Sequence, residues 1–184
     1  MSVDVNTLIE MLSLKDDTAR YNAFQEMLKI TEAKVEWFDQ YKKVFVDKLS
    51  DENSYQRSIG VMLLCNLAKN DKKHAFKSIL NILMPLIDDD KFITQRQYIQ
   101  NIWKVAIVEK EYKDIIVKQL EKEFNNCITK KHYNLLRLDI LSSMINIMDY
   151  ERSEDIRNII GEMINNETDE KSKKKYLKML EGKM

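Results

Sequence analysis

The sequence predicts an all-α protein, a right-handed α-α superhelix in which about five helix pairs stack as a solenoid. Three observations carry the prediction: one phrase recurs five times with apolar residues at helical spacing, glycine and proline number only 3 and 1 among 184 residues, and short polar segments punctuate the chain. The copies are RYNAFQEMLKI from Arg20, RSIGVMLLCNL from Arg57, QRQYIQNIWKV from Gln95, RLDILSSMINI from Arg137 and KKKYLKML from Lys173. Apolar residues return four, seven, eight and ten places on. They are Phe24, Met27, Leu28 and Ile30, then Val61, Leu64, Cys65 and Leu67. The next copies give Ile99, Ile102, Trp103 and Val105, then Leu141, Met144, Ile145 and Ile147; the last keeps Leu177 and Leu180. The reference positions Phe24, Val61, Ile99, Leu141 and Leu177 lie 37, 38, 42 and 36 residues apart. A repeat of this length marks units that cannot bury their apolar face alone and stack to do so.

Each phrase reads as the second helix of a pair, with an amphipathic first helix ahead of it. The first helices are expected at Val5 to Leu14, about Ala33 to Leu49, Lys72 to Ile87, Tyr112 to about Cys127, and Glu154 to Ile164. The third carries Ile79, Leu80, Leu83, Leu86 and Ile87 on one stripe; the fourth carries Ile115, Ile116, Leu120 and Phe124. The fifth carries Ile156, Ile159, Ile160 and Met163. The sum is ten helices in one domain, residues 1–184, with approximate repeats 3–31, 33–69, 72–109, 112–149 and 153–181.

The turns inside the pairs read SLKDD, LSDENSY, IDDDKF, NNCITKKHY and NNETDEK. Short oxygen-bearing side chains belong there because they accept hydrogen bonds from the free amides that open the next helix. Asp90, Asn53 or Ser54, and Thr168 or Asp169 are the expected caps. Pro85, near the end of a first helix, predicts a local bend. The extra residues between repeats three and four predict a larger loop there, and the polar KSKKKYLKMLEGKM reads as a capping end.

Composition narrows the function classes. Basic and acidic residues number 30 each, and no third of the chain is strongly polarised, so the basic footprint of a nucleic-acid binder is missing. Cys65 and Cys127 are far apart, which argues against a disulfide or a metal pair and suits a reducing compartment. MSVDVNTLIEML lacks the charges and apolar run of a signal peptide, and no stretch is long enough to span a membrane. The expected location is therefore cytoplasmic. His74 and His132 show no metal-ligand spacing, and no phosphate loop or nucleophile elbow occurs. No cofactor, no metal and no enzymatic activity are expected.

Val46 to Ala68, VDKLSDENSYQRSIGVMLLCNLA, resembles a HEAT repeat, as does LMPLIDDDKFITQRQYIQNIWKVA from Leu83 to Ala106. The carrying pattern is an apolar helix end, a turn Asp, a basic residue six places later and an apolar second helix: Asp51 with Arg57, and Asp90 with Arg96. Repeat one offers Asp16 and Asp17 before Arg20, and repeat five Asp169 before Lys173 and Lys174; in repeat four Asn125 and Asn126 replace the turn Asp ahead of Arg137. The resemblance implies an armadillo-like α-solenoid with an Asp–basic ladder between neighbouring repeats. It also implies a protein-binding scaffold rather than a defined chemistry.

In such a stack the second helices line a concave face. The stripe opposite the core then presents Gln25, Met62, Gln100, Ser142 and Lys178, with Lys29, Asn66, Lys104 and Asn146 between them. Amides both donate and accept, so this row suits the backbone of an extended peptide. Trp37 and Tyr41 lie on one stripe of their helix and Phe38, Phe45 and Leu49 on another, a distribution that fits core packing better than an exposed anchor. The leading expectation is a non-enzymatic adaptor for a protein or peptide, a monomer or weak homodimer, with no membrane and no nucleic-acid partner. The alternative is a DNA-binding HEAT-like protein of the alkylation-repair glycosylase type, with Lys29, Lys104 and Lys178 on phosphates. It lacks the Trp, Asp and Arg cluster that type requires.

Overall fold

A computed structural model describes residues 4–71, 74 and 76–182. The elements are helical throughout the described residues. They group into two compact units, Met1–Thr94 and Gln95–Met184.

In the first unit, α1 (Val5–Met11) packs on α2 (Asp17–Glu32), α2 packs on α4 (Ser54–Leu67), and α3 (Phe38–Lys48) packs along α4. The caps follow the chemistry of the turns. Asp16 accepts from the Ala19 amide at 2.6 Å and Asn53 from that of Tyr55 at 2.9 Å. Close approach of α3 and α4 depends on Gly60: a Cβ there would stand 3.0 Å from both Lys48 Cβ and the Phe45 carbonyl oxygen. The third first-helix begins, among described residues, as α5 (Phe76–Leu83); its expected start at Lys72 lies outside them. The bend expected at Pro85 is a tight 3-10 segment, Met84–Asp88. Proline has no amide to give an α-helical ladder, and its ring crowds the preceding turn.

The second unit opens within α6 (Phe92–Asn101) and continues through α7 (Trp103–Ala106), α8 (Lys110–Asn126), α9 (Tyr133–Glu151), α10 (Glu154–Asn165) and α11 (Glu170–Glu181). First helices α8 and α10 contact each other; second helices α7, α9 and α11 contact in order. One expected second helix is interrupted at Ile102, between α6 and α7. There the Ile99 carbonyl, which a continuous helix would offer to the Trp103 amide, accepts the Ser143 hydroxyl of α9. Asp169 caps α11 by accepting from the Ser172 amide at 2.8 Å, and Ser153 caps α10. Helix α9 is bracketed by two left-handed residues, His132 (φ 61°) and Arg152 (φ 52°).

The repeated apolar stripe is the core. Met27, Val61, Leu64, Leu67, Ile99, Ile102, Val105, Leu141, Met144 and Ile147 are all fully buried. Trp103, read as packing, is only half-buried beside the break, and Leu177 is 41% exposed. Cys65 and Cys127 are free thiols, both buried, one in each unit. Burial pushes the Cys127 thiol above its ordinary pKa.

Candidate protein-binding face

In the first unit, α2 and α4 position Gln25, Lys29, Met62 and Asn66. Lys29 is exposed, Gln25 and Met62 are half-buried. Met62 stands alone between Val61 and Leu63, both fully buried, so one narrow strip of α4 reaches solvent. Asn66 departs from the expectation: it is 8% exposed and donates its amide to the Thr31 hydroxyl at 3.1 Å. That hydroxyl in turn donates to the Met27 carbonyl at 2.7 Å. The amide is spent between α4 and α2, because Thr31, two places beyond Lys29, its counterpart in the previous repeat, lies within reach.

In the second unit, Ser142 and Lys178 are exposed and Asn146 half-buried. Ser142 repeats the pattern of Met62, lying between buried Leu141 and Ser143. Gln100 and Lys104 are half-buried and engaged: Gln100 donates to Asp139 Oδ1 at 2.9 Å, and Lys104 to Asn101 Oδ1 at 2.7 Å.

The expected ladder is present, with partners the sequence did not specify. Arg57 places Nε and Nη2 on the Asp89 carboxylate at 2.7 Å each and Nη2 on Asp90 at 2.7 Å. From Asp51 it takes only the backbone carbonyl, at 2.9 Å. The hydrogen bond it donates to Asp89 is the main reason the Arg57 pKa rises above its ordinary value. Arg96 pairs with Asp139 at 2.6 Å, on the second helix of repeat four, whose turn carries asparagines instead. Arg137 reaches Glu167 at 2.7 Å and the Phe124 carbonyl at 3.0 Å, while Asp169 serves as a cap. Asp139 had one visible signal, a carboxylate in the middle of an apolar helix face. Glu167 had none that separated it from its acidic neighbours.

The aromatic stripe of α3 is also placed. Trp37 is half-buried and packs edge-on against Tyr41 with ring centres 6.1 Å apart, and against Phe45 at 6.3 Å. The Tyr41 hydroxyl donates to the Asn6 side-chain oxygen, tying α3 to α1. Lys48 is 6% exposed, donating to Ser13 Oγ at 3.0 Å and Gln56 Oε1 at 2.5 Å. Burial lowers its pKa, opposed by the nearby Asp51. Among the described residues no cluster of three His, Cys, Asp or Glu could hold a metal ion, and no helix is long and apolar enough to cross a membrane.

No family model and no curated protein matches the chain. Solved structures do. One engineered protein shares 17% identity at a TM-score of 0.57, covering 97% of this chain and 78% of its own. A second engineered protein shares 16% at 0.57, covering 95% and 46%. A designed armadillo repeat protein shares 13% at 0.55, covering 98% of this chain and 100% of its own. The fold is an armadillo-like α-helical repeat. At these identities the likeness speaks for fold alone. Within it, the buried stripe of the second helices is what lets each repeat pack on its neighbours.

Proposed function

We propose that the protein is a non-enzymatic armadillo-like scaffold that binds another protein, or an extended peptide, along its second helices. The reading rests on one observation: within each unit, second-helix residues beside the buried stripe stay accessible, exposed Lys29 and half-buried Met62 in the first and exposed Ser142 and Lys178 in the second. Stacked helices stand roughly 8–10 Å apart, close to the length of three extended residues. An extended peptide thus meets one strip residue about every third position, and a side-chain amide such as Gln25 can pair with its backbone.

The test is capture from a native lysate on the immobilised full chain, with one lane treated with nuclease. A discrete protein retained after nuclease, and lost with Lys29→Glu plus Ser142→Glu, is the expected result. Retention unchanged in that variant, or capture of nucleic acid alone, refutes the reading. Gln100→Glu is a poor probe, because it would set a second carboxylate against Asp139.

A further inference from the structure

In the second unit, second helices α9 and α11 enclose a cleft of about 250 Å³, with Asn134 and Leu138 on one side and Lys171, Lys175 and Tyr176 on the other. Lys175 follows Lys171 by four residues and Lys178 follows by three more, so the three ammonium groups share one face of α11. Asn134, Leu138 and Ser142 share a face of α9 by the same spacing. The cleft is therefore the N-terminal end of the face that carries Ser142 and Lys178. All three lysines are exposed, and among the described residues none makes an ion pair. One carboxylate, Asp169, also lines the cleft. It caps α11, and hydrogen bonds from Ser172 hold its carboxyl below the usual range. Three lysines against one aspartate leave this face positive. Tyr176 adds a donor. It is 1% exposed, and its hydroxyl is buried without a hydrogen-bond partner. Burial pushes its pKa up to about 12, so it keeps its proton at neutral pH. A buried donor without an acceptor is costly, and an ionised carboxylate, which only accepts, answers both the donor and the charge. Ordinary cofactor pockets run to roughly 300–1,000 Å³, so this cleft suits a single side chain.

We infer that the α9–α11 cleft seats a carboxylate side chain from an acidic segment of the partner. The inference rests on the proposed binding along the second helices and sets the charge of what binds over the second unit. The lysines attract the segment and raise its rate of encounter; the Tyr176 hydroxyl donates to the seated carboxylate.

The experiment measures fluorescence anisotropy of a labelled probe, four repeats of Ser-Glu, titrated with the full chain. Two control probes of the same length replace glutamate by glutamine or by lysine. The expected result is saturable binding of the first probe, at least tenfold weaker binding of both controls, and weakening with added salt. Lys171→Gln with Lys175→Gln should weaken it at least tenfold while leaving the circular dichroism melt unchanged. Lys118→Gln with Lys122→Gln, which removes two exposed lysines of α8, should leave it unaffected. Tyr176→Phe should weaken it several-fold while the free protein melts no lower, since that hydroxyl bonds to nothing. Equal binding of the glutamine probe overturns the anionic class. Equal loss in the α8 variant, or none in the α11 variant, overturns the site. Unchanged binding by Tyr176→Phe overturns the seat. A protein captured from lysate through Lys29 and Ser142, which the glutamate probe does not displace, overturns this inference and leaves the scaffold reading standing. Probe binding with no captured protein supports the cleft and counts against that reading alone.

Discussion

Arg137 and Glu167 form an ion pair sealed from water: Nη1 to Oε2 is 2.7 Å, and the two side chains are 7% and 3% exposed. The guanidinium also lies 4.6 Å from the Phe124 ring centre and donates to the Phe124 carbonyl. Glu167→Ala would strand a buried charge, and should destabilise the protein by about 3–5 kcal/mol. The double change Arg137→Met, Glu167→Leu removes both charges and should cost much less. Urea denaturation of the two variants checks this; equal losses would show that the pair's charge is not what matters.

Gly60 and Gly161 should respond to alanine with opposite signs. Alanine is favoured over glycine in a helix by about 1 kcal/mol. A Cβ at Gly161 meets nothing within 4 Å, so Gly161→Ala should stabilise by up to that amount. At Gly60 it meets Lys48, the Phe45 carbonyl and Leu49 at 3.0–3.1 Å, so Gly60→Ala should lose about 1–3 kcal/mol to overpacking. Thermal melts of both variants decide it.

Lys48 makes stability depend on alkaline pH. Its folded-state pKa is lowered by burial from the ordinary 10.5, so between the folded value and 10.5 the unfolded chain binds more protons. The burial cost is fully present below the folded pKa and is relieved as pH rises to 10.5. The stability of wild type relative to Lys48→Gln should therefore increase through that window. Denaturation at a series of pH values reads the slope; a flat or falling difference would exclude it.

Asn70 clasps two segments. Its Oδ1 accepts the Val35 amide at 2.7 Å and its Nδ2 donates to the Leu67 carbonyl at 3.1 Å, with 6% of the residue exposed. Asn70→Leu would leave the Val35 amide without its acceptor, at a cost of about 1–3 kcal/mol. The Val35 amide should also lose protection in hydrogen exchange more than its neighbours do.

The repeat was legible because its apolar positions all answer to one demand, burial between neighbouring helices. Val61, Ile99 and Leu141 share a place in the phrase and share full burial. Polar partners obey no such period. Arg57 finds its acid in the next turn and Arg96 finds Asp139 inside a helix, so the residue type of the ladder could be read and its address could not. Asn66 shows the limit for the binding strip: spacing put it in solvent, and a hydrogen bond to Thr31 took it inside. The break at Ile102 was equally hidden, since it depends on Ser143, a residue from another repeat.

The two free cysteines give the molecule a pair of internal clocks. Cys65 is 1% exposed in one unit and Cys127 is fully buried in the other. A thiol reagent reaches either only when its surroundings open. The rates at which the two sulfurs react therefore time the breathing of each half separately, without a label or a substitution. If both react together, the chain melts as one; if one runs ahead, that half is the weaker link in the array.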